Sequence, residues 1–232
     1  FLYKHGHWTV SGRVSVALLN LLLSVVLTKL MTVDEYGNYQ YYLSFFLLLG
    51  FFSTPGASSA VVKYVALGYD WSCDYLLKLR LKYSLLASII FIFFGLYNIF
   101  VGNFFESLIY FAFAIIFPFY HSYDLFASFL HAKIELKRLN ILYVVRSSLQ
   151  VLATILAYFI SKSVEFALIT FITSIAIVNL LFYKKTVVNS SQNNYDIKID
   201  AEAKKMAIGL SLIGILGTIV GQIDKILIFN LL

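Results

Sequence analysis

The stretch that decides the fold is His121 to Tyr158, HSYDLFASFLHAKIELKRLNILYVVRSSLQVLATILAY. Two apolar runs flank a basic turn from His131 to Arg138, and each run carries one isolated charge. Asp124 lies eleven residues before Glu135, and Arg146 lies eleven residues after it. Read as an antiparallel helical hairpin, this spacing sets acid and base at one depth on neighbouring helices. At about 1.5 Å rise per residue, each is roughly 12 Å inward from the nearest charge of the turn, well inside a hydrocarbon layer about 30 Å thick. A central Arg or Asp costs about 2.5–3.5 kcal/mol on insertion scales, so it is expected to find a partner or border water.

Two readings stay open. On a helical wheel Asn140, Tyr143, Ser147, Gln150, Thr154 and Tyr158 form one stripe with Arg146 at its edge, and His121, Asp124, Ser128 and His131 form another. Facing polar stripes in apolar helices predict a hydrated path. The plainer reading is a neutralised ion pair that sets helix register.

Composition agrees with a membrane setting. The 232 residues are 60% hydrophobic and only 13% charged, which suits an α-helical integral membrane protein. The net charge of +6 sits in turns, where topology explains it without nucleic acid. A single cysteine, Cys73, excludes an internal disulfide and any cysteine-built metal cluster. No cleavable signal peptide is evident, and the start at Phe1 and apolar end at Leu232 read as a piece of a longer protein.

Outward from the hairpin, the chain reads as seven spans. Span one covers about Val14 to Val33, with Arg13, Asn20, Ser24 and Thr28 on one face and Lys29 snorkelling. Span two, Tyr39 to Val62, is predicted to kink or break at Pro55-Gly56. A loop with Lys63, Lys78, Arg80 and Lys82 follows, its Tyr69–Tyr75 segment expected on the membrane surface. Span three is Tyr83 to Phe105, and span four carries Pro118 as a second kink. Span six, Phe166 to Tyr183, ends at Lys184-Lys185. The polar segment from Asn189 to Lys205 reads as a linker, giving a six-span lobe over 1–188, a linker over 189–205 and a seventh span over 206–232. On that last span Gly217 and Gly221 are spaced for close helix contact, while Ser211, Gly214, Thr218, Gln222 and Lys225 share a face. Fourteen Lys and Arg, from Lys4 to Lys205, fall on one side of this topology and at most three on the other. That bias predicts a cytoplasmic amino terminus.

Several of these segments resemble the polysaccharide-exporting flippases of the MATE-like superfamily, bacterial transporters of lipid-linked O-antigen and related glycans. The resemblance rests on Arg13 to Tyr64, with Leu27-Thr28-Lys29-Leu30-Met31, Thr32-Val33-Asp34-Glu35-Tyr36-Gly37-Asn38-Tyr39 and Gly56-Ala57-Ser58-Ser59-Ala60-Val61-Val62-Lys63-Tyr64, and on Gly221-Gln222-Ile223-Asp224-Lys225-Ile226-Leu227-Ile228. Lys29 departs from it, since many relatives carry Arg there, which argues against a bidentate phosphate role at that position. The resemblance implies a MATE-like transporter fold in a bacterial inner membrane, with two six-helix lobes around a cavity that opens to alternate sides. This chain would supply the first lobe and one helix of the second. The implied cargo is an undecaprenyl-diphosphate-linked oligosaccharide, with membrane lipids and the polysaccharide polymerase machinery as further partners and no cofactor.

Arg146 is the first candidate for cargo contact, because a guanidinium forks onto phosphate oxygens. Pairing with Asp124 is its structural alternative. Lys225 is expected to line the cavity, with Asp224 beside it, and Gln150, Asn20 and Arg13 complete the expected lining. Asp124 also admits a proton or cation role. No Walker loop, dinucleotide fingerprint or His-Glu-x-x-His pattern is present, so an enzyme is not expected. A cation-coupled drug exporter and a membrane-embedded glycan-transferring enzyme are the competing classes. The exporter would favour an acidic cavity.

Overall fold

The computed structural model describes residues 2–187 and 197–231, with side chains for all of these except 2–6, 216, 218, 219, 221 and 223–231. The described chain is helical throughout: α1 (Leu2–Leu30), α2 (Val33–Leu48) running into a 3₁₀ turn (Leu49–Ser53), α3 (Ala57–Ala66), α4 (Ser72–Val101), α5 (Phe104–Ser122), α6 (Leu125–Ala132), α7 (Leu136–Ser161), α8 (Val164–Thr186) and α9 (Ile197–Leu231). Among the described residues five helical segments are long and apolar enough to cross a membrane, with α5 and α6 counted together, and a sixth arises if the bent pair α2 and α3 is one span. Rows of large apolar side chains on α4 (Leu85, Ile89, Phe93, Phe100) and α7 (Leu149, Leu152, Leu156, Phe159) are exposed. A lipid setting hides such surfaces. The protein is a multi-pass helical membrane protein.

The apolar core is split in two. One cluster gathers Leu23 and Leu27 of α1, Phe46 of α2, Phe91 of α4, Phe113 and Phe117 of α5, and Leu168 and Ile172 of α8. The other gathers Val61 of α3, Leu76 of α4, Phe126 and Leu130 of α6, Tyr183 of α8 and Ala207 of α9. Between them the spans carry polar groups: Ser53 and Thr54, Arg80 and Ser84, Ser122 and Asp124, Arg146 and Ser147, Asn179. The candidate site residues Asp124 and Arg146 lie in this layer.

Two spans break within it. After Ser53 the chain turns at Thr54, which has left-handed φ of 50°, and restarts as α3 at a bend of 47°. In hydrocarbon the backbone groups freed by a break need partners from inside the protein. Here Arg80 Nε donates to the Ser53 carbonyl at 2.9 Å, and the Gly56 amide donates to Ser211 Oγ of α9 at 2.9 Å. A Cβ at Gly56 would run into the Ala207 carbonyl and lie 2.6 Å from the Ser211 amide, so glycine is what lets α9 close on this turn. The second break separates α5 from α6 at Tyr123-Asp124, six residues after Pro118.

The basic turns gather at one end of the bundle. Lys133 pairs with Asp70 at 2.7 Å, Lys137 lies over the Trp8 ring, and Tyr183 donates to Asp74 at 2.6 Å. At the opposite end Tyr158 donates to the Leu30 carbonyl and to Glu35, and Glu35 also closes a capping box on Thr32. The α1 and α7 contacts Gly12–Asn140 and Leu30–Tyr158 share an offset of 128 residues, so these helices run parallel, as the first and fifth spans of an alternating topology must.

The structure corrects several expectations. Arg80 is not a loop residue: it lies inside α4 and is 5% exposed. Tyr69–Tyr75 is no surface segment, because Trp71, Ser72 and Cys73 are buried and α4 has begun by Ser72. The second half of the expected linker, from Ile197 to Lys205, is the start of α9, with Ala203 fully buried. Space is open around Gly217 and the surroundings of Gly221 lie outside the described residues, while Gly12 against Asn140, Gly56 against α9 and Gly95 against Phe111 are in close helix contact.

Candidate functional site

The hairpin spacing places its charges as the sequence predicts. Arg146 Nη1 reaches Asp124 Oδ1 at 2.7 Å. Asp124 stands at the first turn of α6 without capping it, its carboxylate turned to Arg146 across the break. Arg146 also donates to Asn179 Oδ1 of α8 at 3.1 Å, and its guanidinium lies 4.8 Å from the Tyr143 ring centroid. Asn179 in turn donates to the Tyr120 carbonyl near the end of α5. One asparagine therefore holds the arginine and serves a carbonyl just before the break.

Three cavities meet at these residues. The largest, about 430 Å³, lies between α1, α3, α6 and α7 and is bordered by Arg13, Ser58, Asp124, Ser128, His131 and Tyr143 among others. A second, about 330 Å³, follows the α1–α7 seam past Arg13, Asn20, Asn140, Tyr143 and Arg146. The third, about 130 Å³, lies deeper and is bordered by Arg80, Tyr120, His121, Asp124, Arg146, Ile175 and Asn179. Arg13 borders the first two, Asp124 the first and third, and Arg146 the second and third. Asp124 and Arg146 keep 41% and 20% of their side chains exposed, so the pair is wetted rather than sealed.

Of the expected lining residues, Arg146, Asp124, Arg13 and Asn20 come together. Gln150 does not: it is buried with Ser147 and Thr154 in the helix packing, where Thr154 donates to the Gln150 carbonyl, and it borders none of these cavities. The α7 stripe faces α1 at both of its ends, Asn140 meeting Gly12 and Tyr158 meeting Leu30, so its upper half is a helix contact instead of a hydrated path. Ser211 and Gly214 face the Pro55-Gly56 turn. The side chains of Asp224 and Lys225 lie outside the described residues.

Sequence reasoning missed Arg80 and Asn179. Arg80 sits among Lys78 and Lys82 and reads as one more charge at a membrane boundary. Its register offered a signal, since Leu76, Leu77, Leu79 and Arg80 are all buried while Lys78 is exposed. Asn179 is one amide in an apolar run, and only the break in the neighbouring helix explains it. Among the described residues no group of three His, Cys, Asp or Glu side chains is placed to hold a metal ion. No family model, no curated protein and no solved structure matches the chain.

Among the described residues the arrangement presents three guanidinium groups, Arg13, Arg80 and Arg146, against one carboxylate, Asp124, around cavities that share these side chains. Such a site attracts anions. Its hydroxyl-rich wing, with Thr9, Ser58, Ser59, Ser128 and Tyr143, offers hydrogen bonds to a polar and uncharged group beside the anion.

Proposed function

We propose that this protein is a flippase of the MATE-like superfamily that carries undecaprenyl-diphosphate-linked oligosaccharides from the cytoplasmic to the periplasmic face of a bacterial inner membrane. The observation that carries the reading is Arg146, held by Asp124 and Asn179 on the wall of a cavity that it shares with Arg13. A diphosphate entering this cavity would take the Arg146 fork from Asp124, exchanging a carboxylate for a phosphate oxygen at little cost in charge. The hydroxyl groups beside Arg13 would receive the sugars, and the polyprenyl tail would stay in the bilayer. The bias of lysine and arginine toward one end sets that end in the cytoplasm. The cavity with His131 and Leu136 reaches the basic turn, while Tyr158, Leu30 and Glu35 join the helices at the other end. This combination supports an inward-facing state.

A cation-coupled drug exporter would need a cavity of net negative character, and three arginines against one aspartate weigh against it. The deciding experiment measures the sidedness of lipid-linked oligosaccharide in a host lacking the gene, complemented by wild type, Arg146→Lys or Arg146→Ala. Accumulation on the cytoplasmic face that only wild type relieves supports flipping with bidentate recognition. Rescue by Arg146→Ala removes Arg146 from the transport step. Normal sidedness together with altered sensitivity to cationic drugs favours the exporter.

A further inference from the structure

The deep cavity has a property that cargo handling in the outer two does not use. Arg80 is 5% exposed, and its partners are neutral: the Ser53 carbonyl at 2.9 Å and Ser58 Oγ at 3.5 Å. Among the described residues it makes no ion pair. Arg146 spends Nη1 on Asp124 and Asn179, and its buried Nε has no partner. His121 also borders the cavity, and its buried Nε2 is unpartnered. With its proton on Nε2 that ring is a donor too. Among the described residues two guanidinium groups therefore face one carboxylate in a pocket of about 130 Å³, leaving one positive charge unbalanced and two donors idle. An unpaired charge removed from water is costly, and an idle buried donor adds to the cost. Both are relieved by a single negative ion.

We infer that the recess between Arg80, His121 and Arg146 holds a small inorganic anion, of which chloride is the probe, as a resident ion distinct from any cargo. The volume accommodates a monatomic anion with a few waters, since about 10–15 Å³ of such space holds one water. The ion would complete the polar layer between the two apolar clusters. It would also bridge α4 to α7 where neither helix offers the other a carboxylate.

The test uses the full chain purified in a neutral detergent, melted in sodium chloride and in sodium gluconate at equal ionic strength, gluconate being a much bulkier anion. Chloride is expected to raise the melting temperature saturably, by about 5 °C at a hundredfold excess over its dissociation constant. The rise is expected to vanish in Arg80→Gln and Arg146→Gln and to persist in Arg13→Gln, whose side chain borders only the outer cavities. Should Arg80→Gln fail to fold, His121→Phe keeps the ring packing against Phe46 and Phe117, and a severalfold higher half-saturating chloride concentration is expected there. No chloride effect, one that survives in folded Arg80→Gln, or an unchanged half-saturating chloride concentration in His121→Phe overturns the proposal. So does loss of the effect on adding a short polyprenyl diphosphate, which would make the recess a cargo phosphate subsite. None of these readouts depends on transport, so the proposal can fail while the flippase reading stands.

Discussion

Both prolines of the chain fall within apolar spans, Pro55 in the turn between two helical segments and Pro118 inside α5, yet only one of them sits at a break. At Pro55 the helix stops: Thr54 turns left-handed, Gly56 admits α9, and Arg80 and Ser211 take up the stranded carbonyl and amide. At Pro118 the helix continues to Ser122. Proline removes the amide that would have served the carbonyl of Ala114, and Ser88 of α4 donates to that carbonyl at 2.7 Å. The break comes later, at Asp124, where a carboxylate turns from the helix end to Arg146. A proline therefore marks a backbone deficit, and the neighbouring helix decides whether the deficit becomes a break.

Four perturbations test this contrast. The largest effect is expected from Gly56→Val, which forces α9 away from the turn and costs about 3 kcal/mol, seen as a fall of several degrees in the detergent melting temperature. An unchanged melting temperature would show that α9 is not held there. Next, Asp124→Ala strips Arg146 of its charged partner and costs about 2 kcal/mol, moderated by the exposure of the pair. In a double-mutant cycle with Arg146→Ala the coupling should be about 1–2 kcal/mol, and a zero coupling would make the pair incidental.

Ser88→Ala should cost about 1 kcal/mol in the wild-type background, because it orphans the Ala114 carbonyl. In a Pro118→Ala background the same change should cost nearly nothing, since replacing the proline restores the missing amide. Equal costs in both backgrounds would refute the repair. The smallest effect is expected from Tyr158→Phe, which removes hydroxyl bonds to Leu30 and Glu35 at the end opposite the breaks and should cost about 0.5 kcal/mol without altering the Asp124–Arg146 coupling.

The parts legible in sequence are those set by counting along one helix or across one turn. Equal spacing about Glu135 brought Asp124 to Arg146, and the wheel of span one placed Arg13 and Asn20 on one cavity wall. Gln150 failed the same reasoning, because a polar stripe states which residues share a face and not what that face meets. Over Ser147 to Thr154 the face is closed by packing, and at Tyr143 it borders a cavity.

A multi-pass helical protein, basic turns gathered at one end and the common depth of one acid and one base were all readable from the linear chain, because they follow from hydropathy, charge placement and a fixed rise per residue. Three-dimensional packing was needed to bring Arg80 and Asn179 to that pair, to dock α9 on a broken helix and to divide the core into two apolar clusters with a polar layer between them. Each of these depends on where a neighbouring helix stops. The backbone groups exposed by such a stop recruit side chains from distant sequence, a demand that appears nowhere in the local pattern of either partner.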